Sequence, residues 1–235
     1  EVVFGDWSSD VCSSDLGRVG RPRVSYRETV SRPAQAEELF DRMLGGKPLF
    51  ARVRLTVAPG RTEGKPVFSV RCAPEEVPRE FHEPIRQAVL GTAEGGLSFG
   101  YPLVAVDVAL VGGEWREGLS SEAAFQAAAS AAFRKAVEAG GETLLEPIMR
   151  FEVQAPAEAT SALISDLNTR RAQISEMVMG QEPCLIRGEV PLSAMFGYST
   201  MVRSLSQGRA TFSMEPARYA PVPAELLESL FPGWS

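Results

Sequence analysis

Little in this chain of 235 residues points to a reacting centre. Its one histidine, His82, lies beside Glu83 in a stretch with helical periodicity, which suits a surface or half-buried side chain better than a general base. The three cysteines lack metal-ligand spacing, which argues against zinc and against a disulfide framework and fits a reducing cytoplasm. A phosphate loop is missing too. Residues 60–66 read Gly-Arg-Thr-Glu-Gly-Lys-Pro, one residue short, with Pro66 where a Ser or Thr must hold Mg²⁺. Gly46-Lys47 fails as well, because Asp41 and Pro48 occupy the required Gly and Ser/Thr slots. No apolar run approaches the roughly 20 residues that span a bilayer. A formal net charge of −6 offers no bulk attraction to nucleic acid or to an anionic membrane.

Residues 1–16 lack the apolar content to fold. They have neither the basic start nor the apolar core of a secretory signal. Residues 6–16, DWSSDVCSSDL, match an in-frame translation of a common sequencing-adapter oligonucleotide. The first sixteen residues therefore read as an artefactual or disordered leader, with natural coding sequence starting at Gly17. Without Glu1, Asp6, Asp10 and Asp15 the net charge moves from −6 to −2. The expectation is a C-terminal part of something longer.

What is present is a two-domain pattern. The first domain is expected over residues 17–144. Residues 20–30 open a strand with Val24, Tyr26, Glu28 and Val30 on one side, and its arginines suit a solvated edge. Residues 33–44 carry Leu39, Phe40 and Met43 at helical spacing, ended by Gly45-Gly46. Ala51, Val53, Leu55 and Val57 then alternate with Arg52, Arg54 and Thr56, a strand with one buried face. After a turn at Pro59-Gly60, residues 66–72 form another strand with Phe68, Val70 and Cys72 inward. Residues 78–93 read as a helix burying Phe81, Ile85 and Val89. Residues 101–111 are apolar enough for a central strand, with a turn at Gly112-Gly113. Ser120 or Ser121 caps an Ala-rich helix that runs to Ala139.

The second domain is expected over residues 145–220, followed by a tail at 221–235 with one short helix near 224–230. Met149, Phe151 and Val153 alternate with polar residues. Pro156 starts a helix with an apolar stripe of Thr160, Leu163, Ile164 and Leu167. Residues 173–179 and 184–190 follow as strands. Residues 192–205 read as a helix with Tyr198, Met201, Val202 and Leu205 on one face, and Ala210, Phe212 and Met214 mark a last half-buried strand. The order β-α-β-β-α-β is a split β-α-β sandwich with one open sheet face. Ser204, Ser206, Gln207 and Arg209 form a polar face suited to binding.

Particular words carry a resemblance. Pro-Leu-Ser-x-Met-Phe-Gly-Tyr-Ser-Thr at 191–200 and Arg-Ser-Leu-Ser-Gln-Gly-Arg-Ala-Thr-Phe-Ser-Met-Glu at 203–215 resemble the last domain of bacterial elongation factor G, the GTPase that drives ribosomal translocation. Leu-Glu-Pro-Ile-Met at 145–149 and Asp-Leu-Asn-x-Arg-Arg at 166–171 fit the same domain. Tyr26-Arg27-Glu28-Thr29, residues 100–104 and Ser120-Ser121-Glu122 resemble the domain before it. The resemblance implies an α+β chain of two domains: a small α/β domain with a left-handed β-α-β crossover, then a ferredoxin-like sandwich.

It also implies a ribosome-binding fragment of a translational GTPase, not itself an enzyme. GTP and Mg would belong to an absent N-terminal domain, and no cofactor to this fragment. The implied partners are the small-subunit decoding centre with tRNA–mRNA, and large-subunit rRNA near the stalk base. A cytoplasmic monomer away from membranes follows. The implied tip residues are Lys47, Trp115, Arg116, Ser120 and Ser121, with Trp115 read as a packing anchor. The implied second-domain residues are Asn168, Arg170, Arg171, Arg203 and Arg209, although Arg170-Arg171 equally suits a helix C-terminus. Two slots depart from the family. Arg116 and Leu119 stand where a His and an Asp are usual, and Gly-Gly-Lys-Pro-Leu-Phe-Ala at 45–51 replaces a Gly-Gly-Arg-Gly-Gln-Tyr-Gly loop. That pattern suits a divergent paralogue, including a ribosome-recycling or accessory factor. A free-standing small-molecule enzyme or a protein-interaction module remain the alternatives of another class.

Overall fold

The computed structural model describes residues 24–60 and 64–231. The leader and the first residues of the opening strand lie outside this range. Two sheets organise the chain. The first has strand order β2-β3-β5-β4, formed by β2 (Ala34–Leu44), β3 (Lys47–Pro59), β4 (Val67–Val70) and β5 (Val106–Glu114). Helices α1 (His82–Gly95) and α2 (Glu122–Ala139) supply the rest of its core. Ala51, Val53, Leu55 and Val57 of β3 are buried against Ala128, Ala132 and Phe133 of α2, and Phe81 stacks on Phe125 at 4.4 Å. Strands β4 and β5 are parallel, joined through α1.

Four expectations for this region need correction. Residues 33–44 are not helical: Ala34–Leu44 pairs in register with β3 along its whole length. The operative period is two, with Ala34, Ala36, Glu38 and Phe40 half-buried between exposed neighbours. Leu39 and Met43, the residues at helical spacing, are solvent-facing. Gly45 and Gly46 both have positive φ, 57° and 78°, the two-residue turn whose twist suits a hairpin. The central strand starts at Val106, not at residue 101, because Ala105 takes φ 53° and breaks the extended run. Gly112-Gly113 is no turn. It lies inside β5 just beyond a bulge in the pairing with β3, and a Cβ on Gly113 would meet the Arg52 carbonyl oxygen at 2.5 Å. Val70 is exposed, since β4 is an edge strand only four residues long.

The second sheet has β6 (Glu142–Ala155) at its centre. It pairs antiparallel with β8 (Cys184–Pro191) on one side and β9 (Thr211–Pro221) on the other, and β7 (Gln173–Val178) extends β8. The order β9-β6-β8-β7, with α3 (Ala157–Thr169) and α4 (Tyr198–Ser206), is the expected ferredoxin-like sandwich. Phe151, Val153, Leu163, Leu167, Ile186 and Tyr198 are the centre of its core. Helix α4 is shorter than expected. Residues 192–194 form a single 3₁₀ turn, and Gly197 at φ 74° separates it from the helix. Met201 consequently faces solvent, whereas Tyr198 and Val202 are buried.

The sheets meet at a junction. Strand β1 (Arg27–Val30) lies early in the chain yet pairs with the first residues of β6. Its Glu28 is wholly buried, so the expected solvated edge is instead a covered one. The Glu28 carboxylate accepts the amides of Leu97, Phe99 and Tyr101 at 2.8, 3.1 and 2.8 Å. Glu142 accepts the intervening Ser98 amide at 2.9 Å. Burial, then the neighbouring Glu142 carboxyl, pushes the Glu28 pKa up to about 7 against the pull of those amides. The C-terminal helix α5 (Ala224–Leu230) packs here as well: Leu226, Leu227 and Phe231 cover a cluster of Tyr26, Phe99, Leu144 and Val222. Residues 222–231 are thus part of the junction.

Candidate nucleic-acid interface

Two connections meet at one end of the first sheet: the β2–β3 turn and the loop from Trp115 to Ser121 between β5 and α2. Ser121 is the N-cap of α2, its hydroxyl accepting the Ala124 amide at 3.3 Å. Ser120 does something else. Its Oγ donates to the Phe50 carbonyl at 2.8 Å and accepts the Arg116 amide at 2.9 Å. The Phe50 amide donates to the Leu119 carbonyl at 2.9 Å. The two bonds to Phe50 join the start of β3 to the loop, and the Arg116–Ser120 bond closes the loop on itself.

Arg116 lies on top of this joint. Its guanidinium carbon is 3.7 Å from the centroid of the Phe50 ring, and Nη2 is 3.1 Å from Glu114 Oε1. The Arg116 side chain is still 50% exposed. Lys47 begins the same strand as Phe50, is exposed, and has no side-chain partner among the described residues. Trp115 donates its Nε1 hydrogen to the Glu75 carbonyl at 3.2 Å while leaving 38% of its surface exposed. Of the five tip residues, Ser120 and Ser121 are thus engaged in structure, and Lys47 and Arg116 present cations. The sequence reading missed Phe50 and Glu114. An aromatic residue at the head of β3 and an acid two residues before the loop arginine were the available signals.

The second-domain residues divide in the same way. Arg170 Nε donates to Asp166 Oδ2 at 2.7 Å, its Nη1 to the Ala194 carbonyl at 2.6 Å, and the group lies 5.0 Å from the Tyr198 ring. Arg171, in the left-handed region at φ 63°, makes a two-pronged pair with Glu146 at 2.8 and 3.0 Å and reaches Ser193 Oγ at 3.2 Å. Glu146 is buried, so that pair anchors the end of α3 to the start of β6. Asn168 is exposed in the last turn of α3. Arg203 is exposed in the last turn of α4 with no side-chain partner among the described residues, and Arg209 is exposed but paired with Glu158. Ser206, expected on a binding face, is buried. Its Oγ donates to the Val202 carbonyl at 2.7 Å and accepts the Ala210 amide at 3.0 Å, which closes the helix onto β9. Gln207 and Gly208, at φ 54° and 78°, make that turn.

Such an arrangement offers unpaired or weakly paired cations at two separate places among the described residues. Among the described residues no group of three or more His, Cys, Asp or Glu side chains could hold a metal ion, and no helix is long and apolar enough to cross a membrane. His82 opens α1, half-buried, its Nε2 at 2.9 Å from the Val77 carbonyl.

A tip of tied loops on one α/β unit, followed by a ferredoxin-like unit, is the arrangement that the sequence words imply, and comparison with known proteins agrees. Residues 22–141 match the family described as elongation factor G, domain IV, and residues 143–230 match elongation factor G C-terminus. The chain belongs to the elongation factor G family. Elongation factor G 2 of Syntrophomonas wolfei is 41% identical over 206 residues, covering 87% of this chain and 30% of that protein. Elongation factor G of Petrotoga mobilis is 38% identical over 217 residues, covering 91% of the chain and 31% of the relative. A crystal structure from Thermus thermophilus superposes with a TM-score of 0.78 at 30% identity, over 90% of this chain and 32% of that one. The chain therefore spans about a third of the length of the relatives it matches.

Proposed function

We propose that this chain is the ribosome-binding C-terminal part of a translational GTPase that promotes tRNA–mRNA translocation in the cytoplasm. The observation that carries the reading is the match, in chain order, to elongation factor G domain IV and then to its C-terminus over nearly all described residues. The first domain acts as a lever whose tip enters the decoding centre beside tRNA–mRNA. Lys47 and Arg116 meet RNA phosphates there, with the exposed edge of Trp115 beside them. The second domain docks on large-subunit rRNA near the stalk base through Asn168, Arg203 and Arg209. Arg170 and Arg171 hold the shape of that dock, because their guanidinium groups are taken up inside the chain.

Lysines and arginines nearly balance acids over residues 17–145, so local placement of cations must supply the phosphate contacts. GTP and Mg²⁺ belong to the part of the relatives that this chain does not cover. The residues here do not fit them, since the glycine-containing stretch ends on Pro66 and lacks the Ser/Thr that a phosphate loop needs. The chain by itself carries no hydrolytic step and acts as a monomer. The test is Arg116→Ala in the full-length protein, with single-turnover translocation and GTP hydrolysis measured side by side. Translocation is expected to fall more than hydrolysis; an equal loss of both sinks the reading.

The altered tip favours one second reading, a ribosome-recycling or accessory role. Arg116 and Leu119 stand in slots where the family usually has His and Asp. Normal translocation rates for the full-length protein would remove this option.

A further inference from the structure

The tip holds an arginine on an aromatic ring beside an acid, and the three residues are arranged unequally. Phe50 is 2% exposed, and its backbone is bonded on both sides to the opposite loop, through Leu119 and Ser120. Glu114 and Arg116 are rim residues, 38% and 50% exposed. The joint between the loops holds the Phe50 backbone and burial holds its ring, so the ring stays with the guanidinium. The carboxylate can move away.

Glu114 also has a second cation. Its Oε2 lies 3.5 Å from Arg52 Nη1, and Arg52 is itself 3.8 Å from Glu37, which pairs with Arg54 at 2.7 Å. Releasing Arg116 therefore leaves Glu114 paired with Arg52. Exposed pairs of this kind are screened and contribute little, so exchange costs little. A phosphate accepting two parallel N–H bonds from a guanidinium is the stronger partner.

We infer that Phe50 is the positioning residue of the tip and that Glu114 is a resting counter-ion, which an RNA phosphate replaces on Arg116. Phe50 keeps the guanidinium plane fixed through the exchange by cation–π contact, so the cation arrives oriented. Lysine could not substitute, because it has no plane to stack and no fork to offer. The RNA source rests on the reading above; the positioning by Phe50 does not.

Two measurements on the full chain separate those claims. In the free protein, the Arg116 Nε–H signal in ¹H–¹⁵N spectra reports the ring above which it sits. A ring-current shift is expected in wild type and in Phe50→Tyr, and its loss in Phe50→Leu. An unshifted wild-type signal, or a shift that persists in Phe50→Leu, overturns the positioning claim. In the second measurement, isolated small ribosomal subunits are titrated at several salt concentrations. Glu114→Gln is expected to tighten binding about two- to fivefold, the scale of one exposed ion pair removed. Phe50→Leu is expected to weaken it about three- to tenfold, as Arg116→Ala does, with Phe50→Tyr restoring wild-type affinity. Weaker or unchanged binding by Glu114→Gln overturns the exchange. Absence of any salt-dependent binding by wild type removes the ribosomal reading and the exchange together, and the free-protein spectra still decide the role of Phe50. If Phe50→Leu disturbs the fold, the Phe50→Tyr and Glu114→Gln arms carry the test.

Discussion

The tip and the junction use the same side chains for opposite ends. At the tip, Arg116 rests on a ring and an exposed acid and keeps half its surface in solvent. At the junction, Arg171 forks onto Glu146, a carboxylate only 3% exposed, and gains a serine besides. The first pair is cheap to open. The second is costly, because removing the arginine leaves a largely buried carboxylate without its cation. What separates them is not arginine itself but the depth of the acid it meets. The exposed, weakly paired charges and the deeply paired ones are different residues, so the proposed binding role and the structural role do not compete for the same side chain.

The largest expected effect breaks the junction side of the comparison. Arg171→Ala is expected to lower stability by about 3 kcal/mol, seen as a fall in denaturation midpoint. Adding Glu146→Gln is expected to restore part of that loss, because the stranded charge is then gone. If Arg171→Ala unfolds like wild type, the pair is ornamental and the contrast fails.

Next comes pH. Glu28 is a buried acid with its pKa raised to about 7. The unfolded chain releases that proton near pH 4.3, so between about 4.3 and about 7 the folded state holds a proton that the unfolded state has lost. Its contribution is full below the unfolded value and is lost as pH rises through the folded one. Stability is therefore expected to decline across that window and to level off above it. Glu28→Gln should flatten this component. A wild-type profile that rises from pH 5 to 7 with no Glu28-dependent fall would contradict the assignment.

Arg170→Ala is expected to cost about 1–2 kcal/mol, since it loses a half-buried ion pair and a bond to the Ala194 carbonyl but strands no deeply buried charge. The smallest stability effect belongs to the tip: Arg116→Ala and Arg203→Ala should each change unfolding by less than about 1 kcal/mol. A larger loss at Arg116 would make it a structural residue like Arg171.

How far the sequence reveals this contrast depends on the range of the forces involved. The ferredoxin-like order was legible, since Met149-Phe151-Val153 and the Thr160-Leu163-Leu167 stripe carry a period that burial enforces locally. Ala34–Leu44 was not: Leu39 and Met43 imitate helical spacing, and the decisive partner, β3, appears only when Gly45-Gly46 is read as a hairpin turn. The site was legible as a set of residue types and words but not as roles. Arg170-Arg171 and Arg116 look alike in sequence. Asp166 stands four residues before Arg170 on one helix, a pairing local spacing allows, but Glu146 meets Arg171 only through the fold, and Phe50 lies 66 positions before the arginine it supports. Ser206 looked like a polar surface residue, and its two backbone bonds are invisible until α4 meets β9.

The central claim, that tip charges bind while junction charges build, is most directly tested by the salt dependence of ribosome binding. Wild type, Arg116→Ala and Arg171→Ala are compared at a temperature where all three are folded. Losing one phosphate contact lowers the slope of log K against log salt by about 0.7 to 0.9. That drop is expected for Arg116→Ala, with an unchanged slope for Arg171→Ala. Equal slopes for the two variants, or a drop for Arg171→Ala alone, would contradict the account.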